Sequence, residues 1–126
     1  MENKKRKTRG NVPFNPYIFT ILKMKLLTKE ILKRFERVGS QEHLKDPLII
    51  CKFFNPCGAG TWYATEYNPE TKIFFGYVSI FGKPFDEWGY FSLKELEDFR
   101  GTKPFFLKIE RDLYFEEKLY SKLKLP

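Results

Sequence analysis

The sequence is poor in the residues that build disulfide frameworks and metal centres. Its 126 residues include two cysteines, Cys51 and Cys57, and one histidine, His43. These are too few for a disulfide framework or a four-ligand zinc site. Cys51 falls in an apolar run and Cys57 in a predicted turn, so we expect two reduced thiols in different environments. Reduced thiols are typical of a cytoplasmic protein.

The sequence also lacks an apolar run long enough to cross a bilayer. Near the N-terminus, residues 17–22 are apolar, but this run is far shorter than the ~20 residues that a membrane span needs. Basic residues precede it as in a signal peptide, yet Pro13 and Pro16 interrupt it, and no small-residue cleavage site follows. We therefore expect no targeting segment, no membrane partner and a cytoplasmic location.

Motifs of common catalytic sites are missing as well. The chain has no glycine-rich phosphate loop, no nucleophile elbow and no cluster of histidines. Glu70-Thr71-Lys72 has the Glu-x-Lys order of many metal-dependent nucleases, but those enzymes place the pair on a strand so that carboxylates converge on Mg²⁺. Here the tripeptide falls in a predicted turn. We expect a protein that is not an enzyme, with no catalytic residue, metal or cofactor; a nuclease using Glu66, Glu70 or Asp112 is one alternative.

Positive charge is concentrated at the front of the chain. The formal net charge is +7, from 23 Lys and Arg against 16 Asp and Glu. Residues 1–37 hold 11 basic and 3 acidic residues and carry +8, whereas the remainder holds 12 and 13 and carries −1. The predicted folded body is therefore close to neutral, and we expect an acidic partner to bind residues 1–37.

Residues 61–78 have the pattern of a β-hairpin around which the other elements are arranged. Asn68-Pro69 supplies turn chemistry, and the return strand is β-branched and aromatic. Simple alternation places the side chains of the first strand on two faces, with Trp62, Ala64 and Glu66 on one face and Tyr63, Thr65 and Tyr67 on the other.

That alternation gives Glu66 an interpretation of its own. If Glu66 shares a covered face with Trp62, its carboxylate needs a partner, and we expect Arg111 of the Glu110-Arg111-Asp112 triplet. A structural ion pair is favoured over an active-site role, because such networks are common outside active sites.

Exposed rings on such a sheet are also candidates for base stacking. The candidate rings are Trp62, Tyr63, Tyr67, Tyr77 and Tyr90. However, the aromatic-Gly-aromatic signature of an RNA-recognition motif is absent, and a chain with 14 Phe must use most of its rings in the core.

Two capped helices are predicted beside the hairpin. Thr28 begins a helix that ends before Gly39, with an apolar side formed by Ile31, Leu32, Phe35 and Val38. Ser92 and Glu95 form a capping-box pattern, and that helix is expected to run to Gly101.

Further segments complete the predicted fold. Residues 48–54 indicate a buried strand and residues 88–91 a short one. Residues 16–22 suit either a helix or a strand, and residues 116–125 predict a last helical turn or two. The fold class is α+β: a small antiparallel sheet of about four to five strands with two to four helices packed on it. We assign residues 1–25 to a basic N-terminal extension and residues 26–126 to a single domain.

The basic residues suggest a polyanion-binding surface on the N-terminal extension, which we call the arm, and on one side of the helix that begins at Thr28. Its members are Lys4, Lys5, Arg6, Lys7, Arg9, Lys29, Lys33, Arg34 and Arg37. They suit a phosphate backbone or another acidic partner, but charge alone gives no sequence readout. The alternative is a solvated helix face and an arm that aids solubility.

Several spaced motifs resemble those of a small bacterial family, catalogued as a domain of unknown function and met on plasmids, phages and other mobile elements. The motifs are LLTKEILKRF, KFF, TWYATE, FFGYV, GYFSLKEL and IERDLYF, over about residues 26–115. The resemblance implies a cytoplasmic single domain encoded among anti-restriction and conjugation genes, and it brings no assigned active site. Family members tend to begin near the position of Met24, so residues 1–23, with a net charge of +5, are either an adaptation to a polyanion or lie upstream of the true start.

Together these features favour a non-enzymatic accessory protein of a mobile genetic element. The expected role is anti-defence inhibition, similar to that of anti-CRISPR or anti-restriction proteins, by binding a protein or ribonucleoprotein effector or its RNA or DNA. The alternatives are a stand-alone nucleic-acid-binding module and the nuclease named above.

Overall fold

The computed structural model describes residues 25–125. The basic residues at positions 4–9 and the segment predicted after Asn15 lie outside these residues. Within the described part of the chain, no helix combines the length and the apolar character that a membrane crossing requires.

The described residues form an α+β structure around an antiparallel sheet, which confirms the predicted fold class. In chain order the strands are β1 (Leu48–Ile49), β2 (Cys51–Phe54), β3 (Thr61–Asn68), β4 (Ile73–Ser79), β5 (Glu87–Ser92), β6 (Glu110–Arg111) and β7 (Lys118–Leu119). Five of them form one antiparallel sheet in the order β5-β4-β3-β2-β6, and β1 pairs with β7 in a second, two-stranded sheet.

Two α-helices flank the sheet among the described residues, α1 (Lys29–Val38) and α2 (Leu93–Asp98). The Thr28 hydroxyl accepts a hydrogen bond from the Ile31 N–H, and Gly39, with φ of +70°, ends α1 as predicted. Ser92 and Glu95 form the predicted capping box of α2. The predicted end of α2 at Gly101 is wrong, because Phe99 already has extended backbone angles and stops the helix at Asp98.

The hairpin is present, but its first strand contains a bulge. The Asn68 side-chain oxygen accepts a hydrogen bond from the Glu70 N–H in the turn. Ala64 pairs with Gly76, whereas Glu66 pairs with Phe75, so the register shifts between Ala64 and Glu66. An extra residue in one strand reverses the side-chain alternation beyond it. The prediction that Glu66 shares a face with Trp62 is therefore wrong.

Both faces of the sheet carry a core. On the first, which we call the helix face, α1 and α2 cover a buried cluster that includes Phe35, Phe53, Phe74, Phe91 and Leu96. On the opposite face, which we call the tail face, Ile49, Tyr63 and Tyr77 are covered by residues from the C-terminal segment, including Phe115 and Tyr120. Cross-strand neighbours alternate between these clusters as the pleat requires.

Two segments differ from their predicted form. The apolar run 48–54 is not one strand: it divides at Ile50, so β1 joins the small sheet and β2 joins the large one. The predicted helical end of the chain forms β7 followed by a single 3₁₀ turn, Tyr120–Lys122. Pairing of β7 with β1 and packing of Tyr120 on Tyr77 account for this, because tertiary contacts outweigh weak local helix propensity.

Candidate binding surface

The C-terminal segment covers only part of the tail face. Its last aromatic contact is Tyr120, whose ring centroid lies 5.0 Å from that of Tyr77 and 5.0 Å from that of Trp88. Beyond Tyr120, Phe75, Trp88 and Tyr90 continue along the same face, because Phe75 is paired with Tyr90 and Tyr77 with Trp88. Tyr90 is 78% exposed and Trp88 is 36% exposed. We call Phe75, Trp88 and Tyr90 the aromatic strip.

The rings of the aromatic strip hold one another in place. Phe75 and Trp88 stack with a centroid distance of 6.1 Å and an interplanar angle of 16°. Phe75 and Tyr90 meet edge to face at 5.0 Å. A ligand that packs on these rings thus meets apolar area that is already ordered, which lowers the entropic cost of binding.

The strip lies beside a strand edge with which no other strand of the described residues pairs. β5 is the outermost strand of the five-stranded sheet, with β4 as its neighbour. Among the described residues, the backbone of Glu87 to Phe91 forms no hydrogen bond outside this pairing. An unpaired edge offers backbone donors and acceptors to an extended segment of another chain.

Two adjoining concavities border the strip and share Glu66 and Phe75. The larger, which we call the Glu66 pocket, has a volume of about 520 Å³ and also includes Glu36, Tyr67 and Tyr90. The smaller, of about 290 Å³, extends past Lys45 and Trp88 to Tyr120 and Leu44. A continuous groove therefore runs along the part of the tail face that the described residues leave uncovered, and past the end of β3 to α1.

The bulge in β3 directs Glu66 into this groove. One carboxylate oxygen, Oε2, accepts a hydrogen bond of 2.8 Å from the Gln41 backbone N–H. The buried Gln41 side chain donates to the Leu48 and Thr65 carbonyl oxygens and accepts from the Leu48 N–H. The segment after α1 is thereby fixed to the edge of β3, with Glu66 at the junction.

The predicted Glu66–Arg111 ion pair is wrong. The bulge turns Glu66 to the tail face, whereas Arg111 lies on β6 opposite Phe53, which belongs to the helix-face core. The Arg111 guanidinium donates a hydrogen bond to the Lys25 carbonyl oxygen. Burial lowers the pKa of the Arg111 guanidinium.

The neighbours of Arg111 in the triplet have other contacts. Glu110 is half-buried in β6 opposite Phe54. An Asp112 carboxylate oxygen lies 3.5 Å from Lys52 Nζ, and its other oxygen accepts a hydrogen bond from the Tyr114 N–H. Within residues 25–125, no group of three or more His, Cys, Asp and Glu side chains is arranged to hold a metal ion.

The basic side of α1 divides into exposed and paired residues. Lys29, Lys33 and Arg37 are exposed. Arg34 Nε donates to both oxygens of Glu117, at 2.7 and 3.0 Å, and this contact raises the pKa of the Arg34 guanidinium. A polyanion would have to compete with Glu117 for Arg34, so the accessible positive charge on α1 is smaller than the sequence suggests.

Of the five rings predicted as stacking candidates, only Tyr90 is strongly exposed. Tyr63 and Tyr77 are buried, and Trp62 and Tyr67 are half-buried against the helix-face core. Sequence reasoning missed Phe75 and Trp88. The spacing Trp88-Gly89-Tyr90 was the available signal, because residues i and i+2 of a strand share a face.

The fold and surface define a small α+β domain with a half-covered antiparallel sheet. Residues 25–122 match the family described as "Protein of unknown function (DUF2958)". The match spans more than three quarters of the chain, and the chain belongs to this family. The family resemblance carried by the motifs is thus confirmed, while the mobile-element setting and the domain division stay predictions. Searches of curated proteins and of solved structures found no match.

Proposed function

We propose that this protein is a non-enzymatic accessory protein of a mobile genetic element that acts in the cytoplasm by stoichiometric binding. Its target is a protein or ribonucleoprotein effector of host defence, and its role is inhibition. The observation that supports binding best is the aromatic strip beside the open edge of β5. The anti-defence role itself comes from the genomic setting that the family resemblance implies.

The strip has the composition of a protein-binding surface. Aromatic residues are enriched at the centres of protein interfaces and often dominate the binding energy. Trp88 and Tyr90 project from an edge strand, so one partner segment would contact both the rings and the backbone of β5. Backbone pairing supplies affinity in such complexes, while side-chain pockets supply selectivity.

Co-expression with candidate defence effectors tests this proposal. The full-length protein should co-purify with its effector and relieve the interference that this effector causes. A Trp88→Ala/Tyr90→Ala variant should bind the effector at least about tenfold more weakly, as expected when interface hot spots are truncated. Tyr114→Ala is the matched control, because Tyr114 is 94% exposed and does not line the groove. Absence of binding and of any relief of interference across the effector panel would reject the proposal.

A second candidate function is direct binding of RNA or DNA. The exposed charges of Lys29, Lys33 and Arg37 on α1 favour it, and the sequence adds five basic residues at positions 4–9. Gel-shift titrations at several salt concentrations test it, using Lys29→Gln/Lys33→Gln/Arg37→Gln and a variant with the five basic residues of the arm changed to Gln. Each lost phosphate contact should reduce the slope of log K against log salt concentration by about 1. Tight effector binding without affinity for free nucleic acid would reject this second function.

A further inference from the structure

The Glu66 pocket has an unusual combination of lining groups. Glu36 from α1 and Glu66 from β3 contribute two carboxylates, and Tyr67, Phe75 and Tyr90 contribute rings. Among residues 25–125, no Lys, Arg or His lines it. Lys33 and Arg37 lie near Glu36 in sequence but are not among the lining residues. The pocket is therefore acidic and aromatic within a chain whose net charge is +7.

Carboxylates and rings together select a particular kind of ligand. Aromatic faces attract cations through their quadrupole, and carboxylates pair with them directly. A guanidinium group satisfies both, since it is planar, weakly hydrated, stacks on rings and forms two parallel hydrogen bonds with a carboxylate. An ammonium group is more strongly hydrated and stacks less well.

Glu66 is arranged to receive such a group. Its Oε2 accepts a hydrogen bond from the Gln41 N–H, and its Oε1 accepts no hydrogen bond from the described residues. The described ion pairs are Arg34–Glu117, Lys52–Asp112 and Lys94–Asp98, and none involves Glu66 or Glu36. The Phe75–Tyr90 pair lies at the same pocket, with the Tyr90 ring largely exposed.

We propose that the Glu66 pocket binds an arginine side chain of the partner protein. This rests on the proposed function and adds the chemistry of the partner. A segment paired along β5 runs about 4.8 Å from it and directs alternate side chains over the tail face, next to Tyr90. One of those side chains enters the pocket, where its guanidinium stacks on Tyr90 and pairs with Glu66.

A titration of the ¹⁵N-labelled full-length protein tests the pocket without knowledge of the partner. The probes are the blocked tripeptide acetyl-Gly-Arg-Gly-amide and the same peptide with citrulline, a neutral isostere of arginine. The arginine peptide should cause saturable amide shifts at Gly39, Ser40, Tyr67 and Tyr90. The citrulline peptide should bind at least about tenfold more weakly, because the charge-assisted hydrogen bonds are lost.

Glu66→Gln is the decisive variant, since glutamine keeps an oxygen that can accept the Gln41 N–H while removing the charge. This variant should bind the arginine peptide at least about tenfold more weakly, and Tyr90→Leu should bind it severalfold more weakly. Glu116→Gln, an exposed carboxylate outside the pocket, is the control and should change nothing. An unchanged thermal midpoint for Glu66→Gln assigns the loss to the pocket.

Other results overturn the proposal. Equal shifts with citrulline, equal or tighter binding of a lysine peptide, or full binding by Glu66→Gln would each exclude arginine recognition here. Failure of the arginine peptide to bind, even after the basic residues at positions 4–9 are changed to Gln to remove competition from the chain itself, would also exclude it. Effector capture that survives Glu66→Gln but fails with Trp88→Ala/Tyr90→Ala would reject this inference and leave the proposed function standing.

Discussion

Gly76 on β4 lies directly against the backbone of Tyr63 on β3. A β-carbon at Gly76 would overlap the Tyr63 carbonyl oxygen and lie 2.9 Å from its carbonyl carbon. The close approach occurs where the register shifts between Ala64 and Glu66. Gly76 therefore makes room for the bulge, and the bulge places Glu66 on the tail face.

Gly76→Ala should consequently destabilise the protein by about 3 kcal/mol or more, since backbone rather than a flexible side chain blocks the new methyl group. Gly89→Ala is the matched control, because Gly89 pairs with Gly76 and a β-carbon there meets nothing within 4 Å. Urea unfolding of both variants provides the measurement. Equal stability of the two variants would mean that the strands separate at little cost at the bulge.

Gln41 joins α1 to the sheet through its buried amide. Gln41→Ala removes two donors and one acceptor and leaves the Leu48 and Thr65 backbone groups without these bonds. Because each unsatisfied buried group costs about 1–3 kcal/mol, we expect a loss of about 2 kcal/mol or more in the free energy of unfolding. Glu42→Ala, at the exposed next position, should stay within about 0.5 kcal/mol. A small loss for Gln41→Ala would show that water replaces the amide.

Ser92 caps α2 with a hydrogen bond of 2.9 Å from the Glu95 N–H to its hydroxyl oxygen. Ser92→Ala should lower the free energy of unfolding by about 1 kcal/mol. Ser92→Asp keeps an acceptor at the cap and should retain most of the stability. Thermal or urea melts distinguish the two variants, and equal losses would assign the effect to packing of Ser92 rather than to capping.

Local signals predicted the elements whose ends depend on residues close in sequence. The Thr28 and Ser92 caps, the Gly39 stop and the Asn68 turn all appear where the residue types indicated. The end of α2 was missed, because nothing in the Phe99-to-Gly101 sequence specifies where the helix must stop. The path of residues 116–125 was missed because it depends on pairing with β1, about 70 residues earlier.

The site was harder to predict for the same reason. A bulge of one residue decides which face Glu66 occupies, and its signal, Gly76, lies on the neighbouring strand. Partial coverage of the tail face depends on where the C-terminal segment ends its contacts, and this separates buried Tyr77 from exposed Tyr90. Composition could not distinguish these rings. The basic residues of α1 were found from sequence, but the contact of Arg34 with Glu117 was not.

The two thiols should behave differently, since Cys51 is buried and Cys57 is exposed. Burial raises the pKa of the Cys51 thiol to about 12. An electrophilic reagent that is attacked by the thiolate should label Cys57 readily in the native protein and Cys51 only on unfolding. Cys57→Ser isolates the slow reaction of Cys51.

The raised pKa of the Cys51 thiol also has a consequence for stability at alkaline pH. The unfolded chain loses the Cys51 proton near pH 9, whereas the folded chain keeps it until about pH 12. The free energy of unfolding should therefore be unaffected by this group below pH 9 and fall by up to about 1.4 kcal/mol per pH unit above it. Cys51→Ala removes that contribution, so its stability should depend less on pH than that of the parent between pH 9 and 10. Burial also raises the pKa values of Tyr63, Tyr67 and Tyr77, but their contribution, common to both proteins, cancels in the comparison. Parallel pH profiles for the two proteins would show that the pKa of the Cys51 thiol is not raised in the native state.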